Sequence, residues 1–230
     1  MTVAAVILCD SAGDALADAA GRPAARRTTE TAWAGGAVPI VVVSADPDGR
    51  VALSLSGSSA ILADPAPASG GLAGQMARGI QVALEAVAET SAALIWPAHL
   101  TWVDAETVTT LIEAHGLDGL ACLRPTWQGA PGWPVLLPVT YLTTLTTLTT
   151  LAAPEALLAA LEVPEAARRD LDLGDAGILI GRDTPIEQLP IFEGPSMPVA
   201  PPPEWGAAAA EESDDSPLEG PTRAPYPSKG

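Results

Sequence analysis

The sequence predicts a three-layer α/β domain of Rossmann-like type, with a mostly parallel sheet over residues 1–192 and a disordered, acidic, Pro-rich tail over 193–230. Three observations carry this expectation. Uninterrupted apolar runs at 3–8, 38–43 and 93–96 have the length of strands buried on both faces. Segments with helical apolar spacing alternate with them, the pattern that layers helices on a parallel sheet. From residue 194 the composition turns to Pro, Ala and acidic side chains with few large apolar ones, too little to bury a core.

At 230 residues and 48% apolar, one domain with a sizeable core plus a tail is the simplest count. A formal net charge of −17 argues against nucleic acid and anionic membrane surfaces as partners. Cys9 and Cys122 stand far apart in no metal or redox pattern, which fits a reduced cytoplasmic compartment. The first residues lack the basic segment of a signal peptide, and their apolar run ends at Asp10. No charge occurs from 125 to 154, but repeated Pro, Gly and Thr there predict a buried segment and not a membrane span.

In chain order, residues 3–8 form the first strand and 10–21 a polar loop. A helix at 23–33 ends at Gly35-Gly36, and 38–43, VPIVVV, is the second strand. Residues 51–55 and 60–62 could pair across Gly57-Ser58-Ser59. Residues 72–89 have helical spacing, with Met76, Ile80, Val82, Leu84 and Val87 mostly inward. Residues 93–96 are a strand, Asp104 caps a helix bearing Val108, Leu111 and Ile112, and Gly116 stops it. The next strand, 119–123, completes a parallel βαβ unit, so a ligand edge is expected at 97–101 and at the loop 124–134. YLTTLTTLTTL at 141–151 is a period-three repeat that drifts round a helix, helical by default. PEALLAAL at 154–161 and the segment 164–171 are further helices, and 177–180 is the last core strand.

The central stretch carries a resemblance. Val103, Glu106 and Thr107, then Arg124, Pro125, Gly129, Gly132 and Pro134, are similar to the core of the MobA-like NTP transferase family, above all its molybdenum-cofactor cytidylyltransferase branch. Trp127 and Trp133 take the places of a Tyr and a His in that loop. Gly21-x-Pro23 before the first long helix, Gly79 on the later helix, and Asp183-Thr184-Pro185 near the close belong to the same pattern. The resemblance implies the nucleotide-diphospho-sugar transferase architecture and transfer of a nucleoside monophosphate from CTP or GTP, with magnesium, to a molybdopterin-like acceptor.

The chemistry implied needs cations and backbone N–H groups round a triphosphate, and carboxylates that hold magnesium. The loop after strand one keeps Gly13 but offers Asp10, Asp14 and Asp18 where the triphosphate would lie. The only lysine is Lys229. Arg22, Arg26 and Arg27 are the nearest substitutes, or a solvated helix face. Gln75 and Ala77 stand where the family has Ser and Arg, and Arg78 is one place off, about a hundred degrees round the helix. His99 and Gly181 stand where the family has metal-binding Asp, leaving Asp183 as a single metal ligand or as a helix cap. His99 itself is a ligand or a hydrogen-bonded loop residue, and His115 a partner of its helix dipole. Cys9 near His99 is a candidate nucleophile weighed against an ordinary buried thiol. No G-x-S-x-G elbow or dinucleotide fingerprint is present.

The expected function is therefore a degenerate, non-catalytic member of that family. It would bind a protein partner or a nucleotide- or pterin-like small molecule through Gly13, Arg22, Arg78, His99, Arg124, Trp127, Gly132 and Trp133. The alternative is a working nucleotidyltransferase with rearranged cations, favoured by the retained 124–134 loop unless that loop is purely structural. The tail is expected to solubilise, or to dock through Trp205 or Tyr226.

Overall fold

The computed structural model describes residues 2–148 and 156–194. The expectations for the tail and for the end of the Leu-Thr-Thr repeat lie outside these residues. A sheet of eight strands forms the centre. β1 (Thr2–Leu8), β2 (Ile40–Val43), β3 (Ala60–Ala63) and β4 (Thr90–Pro97) run parallel in the order β3-β2-β1-β4. β7 (Val135–Pro138) follows antiparallel, then β5 (Cys122–Trp127), which also pairs with β6 (Ala130–Pro131) and β8 (Arg168–Asp172).

Alternation along the strands builds two cores. Val3, Ala5 and Ile7 of β1 face one core, with Ile40, Val42, Leu94 and Trp96; Ala4, Val6 and Leu8 face the other, with Val41, Val43, Ala93 and Ile95. Helices α1 (Ala12–Leu16), α2 (Ala24–Ala34), α3 (Arg50–Ser54) and α5 (Ala105–Leu117) contribute to the first core. Helices α4 (Gly71–Ala86), α6 (Leu142–Thr147) and α7 (Leu157–Ala160) cover the second. Two glycines set how closely helices approach. A Cβ on Gly79 of α4 would fall inside contact distance of Val6, and one on Gly35 inside that of Val108 on α5.

The structure corrects several expected elements. β4 and β5 are not neighbours, because β7 lies between them. Gln128 and Gly129 both take positive φ, at 51° and 78°, and turn β5 into β6. That two-residue hairpin fits strand twist, and it sends the chain back antiparallel into the gap beside β4. Residues 51–55 do not pair with 60–62. Asp46 accepts N–H donors from Val51 and Ala52, both at 2.9 Å, and Val51 and Leu55 bury one face of α3, while β3 pairs with β2.

Near the end of the domain, the segment 164–171 keeps only a 3₁₀ turn at Glu165–Ala167, then becomes strand β8 at a charged, exposed sheet edge. Charge on an edge strand discourages further pairing. Residues 177–180 are not a strand: Asp175 caps a 3₁₀ turn at Ala176–Ile178. α4 ends at Ala86, and α5 runs past Gly116 to Leu117. Asp104 caps α5 as expected, accepting from the Glu106 N–H at 2.8 Å.

Candidate ligand site at the carboxyl edge of the sheet

β1 and β4 end side by side, with Leu8 opposite Pro97. The loop after β1 is closed by its own side chains. Ser11 caps α1, accepting from the Asp14 N–H at 3.1 Å. The Asp14 carboxylate turns back and accepts from the Asp10 N–H at 3.1 Å. Its other oxygen lies 2.6 Å from Arg182 Nη1, an ion pair whose geometry falls short of a hydrogen bond, and both side chains are mostly buried, 11% and 20% exposed. Arg182 in turn donates its backbone N–H to the His99 carbonyl at 2.9 Å. One carboxylate thus ties together the loop after β1, the loop after β4 and the last segment of the domain.

Cys9 lies in this loop. Burial pushes its thiol well above the ordinary range, and the nearby Asp14 and Asp10 push it further. A thiol held protonated is a poor nucleophile, and Cys9 and His99 line different depressions, which gives the pairing of the two as a catalytic couple no support.

The two positions where the resemblance expects metal-binding Asp do meet in space. A Cβ on Gly181 would sit 3.1 Å from the His99 carbonyl and 3.4 Å from His99 Cδ2. The meeting point therefore holds an exposed imidazole and a glycine. Magnesium takes oxygen ligands in near-octahedral geometry, and this pair supplies no carboxylate. Asp183 is exposed, and among the described residues no three His, Cys, Asp or Glu side chains are grouped to hold a metal. The donor set does not fit magnesium. Asp183 also caps nothing: the 3₁₀ turn Ile186–Gln188 starts from Pro185 without a side-chain cap.

The segment is held instead by Trp102 and Asp175. Trp102 Nε1 donates to the carbonyls of Gly181 and Thr184, at 2.9 and 3.1 Å. Asp175 is buried and accepts from the Asp104 N–H, the Thr107 hydroxyl and the Gly177 N–H, at 2.9, 2.7 and 2.8 Å. Burial raises its carboxyl, and those donors offset part of the rise.

His99, Arg124, Gly132 and Trp133 line one cavity of about 250 Å³ beside Pro97, Leu100, Pro131, Val135, Leu157, Leu158, Ile178 and Leu179. Gly13, Arg22, Arg78, Trp127 and Asp183 do not line it. Arg124 is forked onto Asp170 by bonds of 2.9 and 2.8 Å, which raise its already high pKa. Gly132 is fixed by packing: a Cβ there would lie 2.5 Å from the Ile178 carbonyl, and its N–H donates to Pro125. Trp133 donates its N–H to Ile178 at 3.0 Å, and half-buried Trp127 packs on the core. The loop 124–134 thus has a structural reason for each of these residues.

The remaining candidates are engaged elsewhere. Arg22 and Arg26 both pair with Glu30, and Arg27 lies over the Trp102 ring at 4.6 Å. Arg78 donates to the Asp64 carbonyl at 3.4 Å. Gln75 is pinned to both backbone groups of Ala66, at 2.8 and 3.0 Å, beside a depression lined by Leu8, Cys9 and Asp10. Gly13 is under no steric demand, with only Ser11 Oγ near a Cβ, at 3.5 Å. His115 stands in the last turn of α5, where a dipole partner is expected. It is fully buried with Nε2 3.0 Å from Ser91 Oγ and Nδ1 unpartnered, and burial lowers its pKa. Sequence reasoning missed Arg182, Trp102 and Asp175. The one available signal was a basic residue inserted between Gly181 and Asp183 in an acidic chain.

The family description "MobA-like NTP transferase domain" matches residues 14–166. No curated protein matches the chain significantly in sequence. Among solved structures, Rv0371c from Mycobacterium tuberculosis H37Rv in complex with manganese is 14% identical, with a TM-score of 0.56, over 75% of this chain and 89% of that one. A Methanothermobacter nucleotidyl transferase is 16% identical, with a TM-score of 0.54, over 70% and 82%. The 4-diphosphocytidyl-2C-methyl-D-erythritol synthase of Anaerococcus prevotii is 10% identical, with a TM-score of 0.59, over 77% and 89%. At these identities the likeness is one of fold.

Proposed function

The chain belongs to the MobA-like NTP transferase family, and from that premise we propose that it is a catalytically degenerate member that binds a small ligand or a partner instead of transferring a nucleotide. The observation that carries this reading is the Asp14 carboxylate. It takes the Asp10 N–H and the Arg182 guanidinium in the loop after β1, where the family resemblance puts a triphosphate. An incoming triphosphate would have to displace a mostly buried ion pair and then face Asp10 and Asp14 without a lysine. His99 and Gly181 supply no carboxylate for a metal to offset that repulsion.

The test is calorimetric titration with Mg-CTP and Mg-GTP. Silence with both is expected. Binding in the micromolar range that requires magnesium overturns the reading. It would favour the alternative, transfer of a nucleoside monophosphate to a molybdopterin-like acceptor. The retained loop 124–134 gives that alternative little support, since Gly132, Trp133 and Arg124 are each explained by packing or pairing. A cytoplasmic location is proposed alongside, where thiols such as Cys9 and Cys122 stay reduced. Among the described residues no helix is long and apolar enough to cross a membrane.

A further inference from the structure

We propose that the cavity beneath the 124–134 loop takes a small, uncharged, flat aromatic ligand. This deepens the reading above and rests on it, since the same cleft would then bind without transferring. Three features converge. Apart from His99 and Arg124 the side chains of the lining are apolar, among them Leu100, Trp133, Val135, Ile178 and Leu179, so desolvation of an apolar ligand is the main source of affinity there. The one guanidinium in the lining, Arg124, is forked onto Asp170 by two bonds, so its charge already has a counter-ion. Leu179 lines the cavity and keeps 39% of its surface exposed, so a ligand seated there would cover apolar area.

Size narrows the class. A cavity of about 150 Å³ lined by aliphatic and aromatic groups takes benzene. The 250 Å³ here suits a bicyclic ring system. Phosphorylated nucleosides are disfavoured, because they would have to compete with Asp170 for Arg124. His99 stands among the lining residues as a group able to make one hydrogen bond to a ring N–H or hydroxyl. Pocket binding of this kind is set by walls that already exist, which Gly132 and the Trp133–Ile178 bond hold in place.

The experiment uses the full chain with indole, 2-naphthol, inorganic phosphate and CMP as probes. Calorimetry gives affinities, and amide shifts of Gly132 and Trp133 give location. Indole or 2-naphthol is expected to bind with a dissociation constant below about 1 mM and to shift both amides; phosphate and CMP should do neither. Leu179→Asp places a charge at a partly exposed position without opening the core, and should weaken indole at least tenfold with an unchanged circular dichroism spectrum. Leu158→Trp, which fills the cavity from a second side, should do the same. Tighter binding of phosphate or CMP than of indole overturns the proposal. So does undiminished indole binding by Leu179→Asp, or the absence of binding by both aromatic probes. If the aromatic probes and Mg-CTP are all silent, only this inference fails; binding of Mg-CTP sinks the degenerate reading itself.

Discussion

Asp14 behaves as a built-in anion. Its two oxygens engage a backbone N–H and a guanidinium at low exposure, so removing Asp14 or Arg182 leaves the other's charge without its counter-ion. Asp14→Asn and Arg182→Gln should each cost about 2 kcal/mol in urea unfolding. The double variant should lose less than the sum, with a coupling of about 1 kcal/mol; additivity within about 0.5 kcal/mol would deny the pair any energetic role. His115 makes a second prediction. Burial lowers its pKa in the folded state, and Asp118 offsets this only in part. The unfolded chain therefore binds a proton more readily than the fold does, near the ordinary pKa of about 6.5. Stability should be unaffected by this group above that pH and should fall as pH drops below it, down to the folded pKa. His115→Gln should flatten that limb of the pH–stability curve. A curve unchanged by the substitution would show that the imidazole already titrates normally in the fold.

Secondary-structure elements whose signal is periodic apolar spacing were legible in the sequence: β1, β2, β4, α2, α4 and α5 all fall close to where apolar runs and caps put them. Misplaced elements have local signals that point the wrong way. α3 is a single turn made by the Asp46 carboxylate and a Val51–Leu55 spacing that also fits a short strand. β8 carries helix-favouring residues behind a Pro-led turn, and only its register on β5 makes it a strand. Glycines separate the two kinds of information. Gly116 resembles a helix stop, but it lies within α5 with no atom within 4 Å of a Cβ. Gly116→Ala should therefore stabilise by about 0.5–1 kcal/mol. Gly79→Ala, on a helix pressed against Val6, should instead cost about 1–3 kcal/mol through overpacking. Equal thermal shifts for the two would mean that the close approach of α4 to β1 relaxes freely.

At the scale of the whole molecule, fold and site differ in legibility for a physical reason. A three-layer sandwich is specified by many redundant apolar positions, so exchanging a few still leaves it recognisable. The site depends on contacts between residues far apart in sequence, such as Asp14 with Arg182 and His99 with Gly181, and no periodicity announces those. The sequence did show which site carboxylates and cations are missing; what replaced them needed coordinates. That replacement can be tested on the intact protein. With a formal net charge of −17, the chain repels itself, and added salt should raise its melting temperature by screening. Magnesium chloride will therefore appear stabilising whether or not a site exists. A specific site adds RT ln(1 + [L]/Kd), about 2.7 kcal/mol at a hundredfold excess over Kd, whereas screening depends on ionic strength. Melting curves in magnesium chloride and in sodium chloride at matched ionic strength should therefore coincide, to within the small extra effect of divalent counterions. Adding CTP should leave them coincident, because Arg182 already supplies the positive charge that Asp14 faces. A magnesium-specific rise of several degrees that requires CTP would show that the ion pair opens and that the family's metal site survives behind it.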